Sequence, residues 1–204
     1  MNLKSIKSYR IAKYLLNNRI TSQTEISKQT SIAIGYVNEV LHNLADLDIV
    51  KIDYGMTTLL DYAKLLDKIS LDRSFKQIIK KTIRLPTLSI IETENMLKQH
   101  CDSNKIEYAL TGFSGLRFFY EYHINYPMVH IYLQNQDDLN GLEKGEGAIP
   151  VVVLYPDRSD IFANSTNIKD VSICEKMQVI IDLYSSGLGR DAAIKYYRDM
   201  VWRN

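Results

Sequence analysis

The stretch that decides the fold reads Thr-Ser-Gln-Thr-Glu-Ile-Ser-Lys-Gln-Thr (21–30), Ser-Ile-Ala-Ile-Gly-Tyr-Val-Asn-Glu-Val-Leu-His-Asn-Leu (31–44) and, four residues on, Ile-Val-Lys-Ile-Asp-Tyr-Gly-Met-Thr-Thr-Leu (49–59). Ser22 followed three residues later by Glu25 is a capping-box signal for a short helix anchored by Ile26. Thr30 and Ser31 mark a break with a second cap signal. The next helix places Ile34, Val37, Leu41 and Leu44 on one face at offsets of three, four and three. Its other face carries Gly35, Tyr36, Glu39, His42 and Asn43, with Asn38 at the border. Ile49, Val50 and Ile52 favour a strand, Tyr54-Gly55 a tight turn, and Met56–Leu59 a returning strand. Two short helices followed by a two-stranded hairpin predict a winged helix-turn-helix.

A helix that is aliphatic on one side and small, amide and aromatic on the other can dock on a core and still enter a major groove. The pattern therefore points to duplex DNA as a partner. Ala33, Gly35, Tyr36 and Asn38 are the candidates for base edges, with Ser31 and Gln23 on phosphate or sugar. Lys28, Lys51 and the wing-tip Tyr54 would add backbone or minor-groove contacts. A winged helix that docks on protein rather than DNA fits the same spacing and stays open beside this reading.

Length and composition frame the rest. The chain has 204 residues, enough for one large domain or two small ones. No apolar run approaches the ~20 residues a membrane span needs, and Met-Asn-Leu-Lys-Ser-Ile-Lys at the start lacks the apolar core of a signal peptide. Cys101 and Cys174 have no metal-type spacing and read as two reduced thiols of a cytoplasmic protein. His42, His100, His123 and His130 form no ligand motif. Neither a metal nor a cofactor is expected. The net charge of +1 divides unevenly: residues 1–85 hold 14 Lys/Arg and 8 Asp/Glu, a net of +6, and residues 86–204 hold 11 and 16, a net of −5. A basic front suits a phosphate partner.

In chain order, Leu3–Asn18 reads as the first helix, with a core stripe of Ile11, Ala12, Leu15 and Leu16. Lys4, Lys7, Arg10 and Lys13 form a basic row that suits a phosphate backbone or open solvent equally. Residues 58–81 are helix-compatible and suit a connector or a dimerisation helix, so a homodimer is one expected partner state. The boundary is placed at Leu85-Pro86, because proline disfavours helix in the residue before it. The expected organisation is a DNA-binding domain over 1–59, a helical connector over 60–85 and a mixed domain over 86–204. In the last, helices are expected at 92–101 (capped by Thr93), after Gly112, at 172–185 and at 189–203. Strands are expected at 107–111, 128–133, 149–155 and 161–163. The polar segment 134–148, with Gly141, Gly145 and Gly147, reads as a loop. The fold class is α+β.

The order strand, Gly112-Phe-Ser-Gly115, helix, strand is similar to a nucleotidyltransferase core, where a Gly/Ser turn meets phosphates and the next strand presents metal-binding carboxylates. Here that strand, Met128–Leu133, carries no carboxylate. Asp137 and Asp138 follow as neighbours in a loop, where alternation would send adjacent side chains opposite ways. The reading is a degenerate, non-catalytic core with closing helices. Gly112-Phe-Ser-Gly also resembles part of a nucleophile elbow, but the spacing fails.

Two stretches carry a resemblance to a known family. Tyr108-Ala-Leu-Thr-Gly-Phe-Ser-Gly-Leu is similar to a segment of AbiEi-type antitoxins of type IV toxin–antitoxin systems. Val171-Ser-Ile-Cys-Glu-Lys-Met-Gln-Val-Ile-Ile-Asp-Leu-Tyr, followed by Gly189-Arg-Asp-Ala-Ala, resembles their closing helices. Gln178, Asp182 and Arg190 are the matched polar positions, expected to make buried polar contacts across those helices. Gly115 stands where the family usually has Ala. The resemblance implies a transcriptional regulator that represses its own operon, with a second domain that counters a nucleotidyltransferase toxin encoded nearby. A stand-alone regulator with no toxin is the alternative.

Overall fold

A computed structural model describes residues 2–120 and 126–201, with only the backbone at 136, 137 and 201. His123 lies outside these residues, as does the end of the helix expected to reach residue 203, whereas the helix expected after Gly112 stops at Leu116 and residues 117–119 are turn. The chain divides into two compact units, the first running to Ser74 and the second from Phe75 to Met200.

The first unit begins with α1 (Ile6–Asn17), whose N-cap Ser5 accepts a hydrogen bond from the Ser8 amide. Strand β1 (Ile20–Ser22) leads into α2 (Gln23–Thr30), and α3 (Ile34–Ala45) follows a three-residue turn. Strands β2 (Val50–Asp53) and β3 (Met56–Leu59) precede α4 (Tyr62–Asp72), capped by Asp61. The strands form an antiparallel sheet in the order β1-β3-β2. At the β2–β3 turn both central residues have positive φ, Tyr54 at 45° and Gly55 at 79°. That is the type I′ geometry whose twist matches a hairpin.

The core of this unit is sealed by Ile11, Ala12, Leu15 and Leu16 of α1, Ile26 of α2, and Val37, Val40, Leu41 and Leu44 of α3. Two details differ from expectation. Ile34, placed in the core by spacing, is 50% exposed, and Val40 is buried instead. Ile34 is the first residue of α3, so it projects past the core, and the turn residue Ile32 takes its place at 5% exposure. The Ser22 cap forms, accepting from the Glu25 amide at 3.1 Å. The Glu25 carboxylate does not complete a box; it accepts from Gln29 Nε2 at 2.7 Å. Ser31 caps the end of α2 with φ 55°, and the N-cap of α3 is Ala33, which supplies no side-chain bond.

The second unit starts with a single turn, α5 (Phe75–Ile78), and runs straight into β4 (Ile79–Arg84). It continues through α6 (Ile90–Asn104), β5 (Tyr108–Thr111), α7 (Gly112–Leu116) and β6 (Val129–Leu133). A 3-10 turn (Gln136–Leu139), β7 (Pro150–Leu154) and α8 (Asp160–Ala163) follow, then β8 (Thr166–Ile168), β9 (Val171–Ile173), α9 (Lys176–Ser185) and α10 (Arg190–Val201). The sheet is mixed, six strands in the order β4-β7-β6-β5-β9-β8. β6 and β7 are parallel, as are β5 and β9. Alternation puts Tyr108, Leu110, Val129, Ile131, Leu133, Val151 and Val153 on one face, in a core with Leu97 and Cys101 of α6. Residues between them, including Thr111, His130 and Tyr132, point to the other face, where α7 and α9 pack on each other.

Several expectations are corrected here. Residues 79–84 are strand rather than connector helix, and the units divide at Ser74/Phe75, so the 60–85 segment is shared between them. β-branched Ile79, Thr82 and Ile83 pair with the apolar strand β7, and that pairing prevails over weak helical periodicity. Residues 161–163 are helical, and 171–173 form a strand that hairpins with the unanticipated β8 through Lys169 and Asp170, both at positive φ. α6 begins earlier than expected, capped by Ser89 in a full capping box with Glu92, and Thr93 is buried inside it. Among the described residues no helix is long and apolar enough to cross a membrane.

Gly115 is held by packing. A Cβ there would meet Val179 Cγ2 at 2.7 Å. Gly115→Ala is therefore expected to cost about 1–3 kcal/mol through overpacking of α7 on α9, read as a lower urea midpoint. The smaller Val179→Ala beside it should recover part of the loss.

Candidate nucleic-acid interface

The free face of α3 is built around its first two turns. Gly35 is exposed, and a Cβ at that position would meet nothing within 4 Å. Ala33 and Ser31 are exposed in the turn before the helix. Tyr36 and Asn38 are half-buried, each held by a neighbouring element. The Tyr36 hydroxyl lies 3.2 Å from Ser5 Oγ, and the Lys7 ammonium sits 5.9 Å from the Tyr36 ring centroid. Asn38 Oδ1 accepts from Gln23 Nε2 at 3.3 Å. Gln23 and Asn38 thus act as a pair, and the start of α1 joins the site through Ser5 and Lys7. Ser5 was missed in the sequence because its local pattern reads only as a helix cap. Lys28 is exposed on α2. Lys51 and Tyr54 stand apart on the hairpin: Lys51 is 3.3 Å from Asp53, and Tyr54 is fully exposed at the tip.

Charge is less concentrated here than the division at residue 85 suggested. Residues 1–74 carry ten Lys/Arg against eight Asp/Glu, a net of +2. The other four cations of the basic front, Lys76, Lys80, Lys81 and Arg84, belong to the second unit. Of the α1 row, Lys4 and Lys7 are exposed and Arg10 half-buried, whereas Lys13 is buried beside the Tyr9 ring.

The second unit holds a buried polar cluster where the motif residues meet. Asp182 is fully buried and accepts hydrogen bonds from Thr111 Oγ1 at 2.8 Å, Tyr132 OH at 2.9 Å and Gln178 Nε2 at 2.9 Å. Asp182 therefore reaches the sheet, while Gln178 donates to Asp182 along their own helix. Arg190 is exposed, its guanidinium 4.6 Å from the Tyr184 ring centroid. His130 lies on the same face, 1% exposed, edge-on to Phe75 with its Nδ1 making no hydrogen bond. Burial lowers its pKa to about 4, and the nearby Asp182 only partly opposes this. Gly112 (φ 57°) admits the ring: a Cβ there would lie 2.8 Å from His130 Nδ1.

A second buried carboxylate, Glu94, pairs with Arg117 and accepts from Tyr126 OH at 3.1 Å. Burial pushes the Cys101 thiol up to about 12, which keeps it protonated at neutral pH. Both cysteines are buried and neither is in a disulfide. Among the described residues no group of three or more His, Cys, Asp or Glu is placed to hold a metal ion. Comparison of the chain with known protein families, characterised proteins and solved structures found no match.

Proposed function

We propose that the chain is a sequence-specific DNA-binding transcriptional regulator whose first unit is a winged helix-turn-helix. One observation carries this reading. α3 buries Val37, Val40, Leu41 and Leu44 completely or nearly so, yet leaves Gly35 and the preceding Ala33 exposed and Tyr36 and Asn38 half-exposed. An element anchored on one side and open on the other suits insertion into a major groove. The exposed Ile34 at the head of the helix suits contact with a thymine methyl. The β2–β3 hairpin is the wing, with Tyr54 at its tip, and Lys4, Lys7 and Lys28 supply phosphate contacts.

A gel shift of the full-length protein on its own promoter tests the reading. Tyr36→Ala and Asn38→Ala are each expected to weaken binding by about 1–3 kcal/mol, roughly five- to 150-fold. Raising salt should weaken it further, with a log–log slope near one per neutralised phosphate. Unchanged affinity in both variants would remove α3 as the reader.

The same reading takes the protein to be a cytoplasmic, autorepressing antitoxin of the AbiEi type, with a nucleotidyltransferase toxin as its partner. Support comes from the two stretches that carry the resemblance: they meet in the fold, because Asp182 of one accepts from Thr111 of the other. A protein-interaction role is favoured separately by the second unit's open groove of about 520 Å³, lined by the exposed Leu88 and Ile91 together with Ile149 and Arg117. Co-expression with the product of the neighbouring gene separates the two. A stable complex combined with negligible promoter affinity would favour the interaction module.

A further inference from the structure

We propose that the first unit reads an adenine through the Gln23–Asn38 amide pair, so that an A·T pair is what this site selects in the major groove. The inference rests on the regulator reading above and names the base that the same site recognises.

The joining of the two amides is the decisive feature. Gln23 opens α2, and Asn38 lies one turn into α3, fifteen positions away. Asn38 Oδ1 accepts from Gln23 Nε2 at 3.3 Å. Each side-chain amide carries one carbonyl acceptor and one NH2 donor group. With one carbonyl and one NH2 bonded to each other, the pair presents the Gln23 carbonyl as acceptor and the Asn38 NH2 as donor. Exchanging oxygen and nitrogen in both amides leaves one acceptor and one donor just the same. Both residues are half-buried, with Asn38 at the border of the open face of α3, so the pair is braced and still reaches the surface.

This edge fits adenine. In the major groove adenine sets the N7 acceptor beside the N6 amino donor, and no other base offers both. Guanine offers two acceptors, N7 and O6, which Arg or Lys match best. Residues 31–45, α3 and the turn before it, contain neither Arg nor Lys. Glu39, exposed next to Asn38, is acceptor-only when ionised and is ill matched to the two acceptors of guanine. The apolar groups at the head of α3 point to the same base pair. Ile34 is 50% exposed and Ala33 is exposed, and thymine alone adds a methyl group to the groove. At Gly35, between Ile34 and Tyr36, a Cβ would meet nothing within 4 Å, so the helix backbone can come close to base edges.

The test selects duplexes with a randomised centre for binding to the full-length protein. The enriched motif should hold an adenine whose replacement by guanine weakens binding about five- to 150-fold. Selection with Gln23→Ala, with Asn38→Ala and with the double variant, each folded by circular dichroism, should lose the preference at that one position and keep the others. The double variant should lose no more than either single one, because the two amides act as a unit. Placing 7-deazaadenine there removes only the N7 acceptor. It should weaken wild type about two- to tenfold and leave Asn38→Ala unchanged. Lys28→Gln, at a phosphate contact, should lower affinity for every duplex alike and leave the motif intact. A motif in which the amide variants alter no position, or alter one occupied by guanine, cytosine or thymine on both strands' reading, overturns the inference and keeps the regulator reading. Undiminished binding of wild type to the 7-deazaadenine duplex does the same. If no duplex is enriched over the random pool, the regulator reading fails and this inference falls with it.

Discussion

Asp182→Ala is expected to destabilise the second unit by about 3–5 kcal/mol, enough to unfold a marginal domain. The substitution removes at once the carboxylate that accepts from the buried Thr111, Tyr132 and Gln178. Removing the acceptor of a buried donor costs about 1–3 kcal/mol, with partial relief as the site relaxes. Asp182→Asn preserves shape but turns one end of the acceptor into a donor facing donors, so a loss of about 2 kcal/mol is expected. Urea unfolding followed by tyrosine fluorescence measures both. A loss under about 1 kcal/mol for the alanine variant would mean that the cluster is hydrated or redundant. Thr111→Val and Tyr132→Phe each remove one bond and should cost about 1 kcal/mol apiece. Their effects should not simply add with that of Asp182→Ala, because the three share one acceptor.

The second large effect is a loss of stability in mild acid, traced to His130. Burial among Phe75, Gly112 and the sheet lowers its pKa from 6.5 to about 4, against a weaker opposing pull from Asp182. The unfolded chain therefore takes up the proton first as pH falls. Stability from this residue is complete above about pH 6.5, declines between 6.5 and 4, and falls no further below that. A displacement of that size corresponds to about 3 kcal/mol. Urea-derived stabilities of wild type and His130→Leu, each taken at pH 7 and again near pH 4, isolate the term. Titrating carboxylates contribute alike to both proteins and cancel in the difference. Equal losses in the two proteins would show that His130 does not drive the acid response.

These two residues illustrate what the chain conceals when read linearly. His130 sits in a run of strand formers, Val129–Leu133, where nothing local marks it as neutral and buried. Its character comes from α5, α7 and α9, elements drawn from three separate parts of the sequence. Asp182 stood out only through a resemblance, with buried polar contacts across the closing helices as its expected role, and the donors it accepts from include β5 and β6 as well as its own helix. By contrast, Tyr36, Asn38 and Gly35 were readable as surface positions of α3, because a 3.6-residue period fixes which side chains oppose the aliphatic stripe. The one error on that helix, Ile34 for Val40, occurred at its first residue, where the period no longer determines burial.

The sequence by itself determined the elements whose causes are local: the cap at Ser22, the amphipathic α3, the Tyr54-Gly55 hairpin turn and the apolar strand β7. Each depends on residues within about one or two turns of one another, so spacing suffices. Only the tertiary structure decided that residues 79–84 are a sheet edge, that Gln23 pairs with Asn38, and that Thr111 finds Asp182 across 71 positions. The physical reason is that strand pairing and buried hydrogen bonds are satisfied by distant partners. Their energy depends on which groups the folded chain brings within about 3 Å, a quantity no window of neighbouring residues contains.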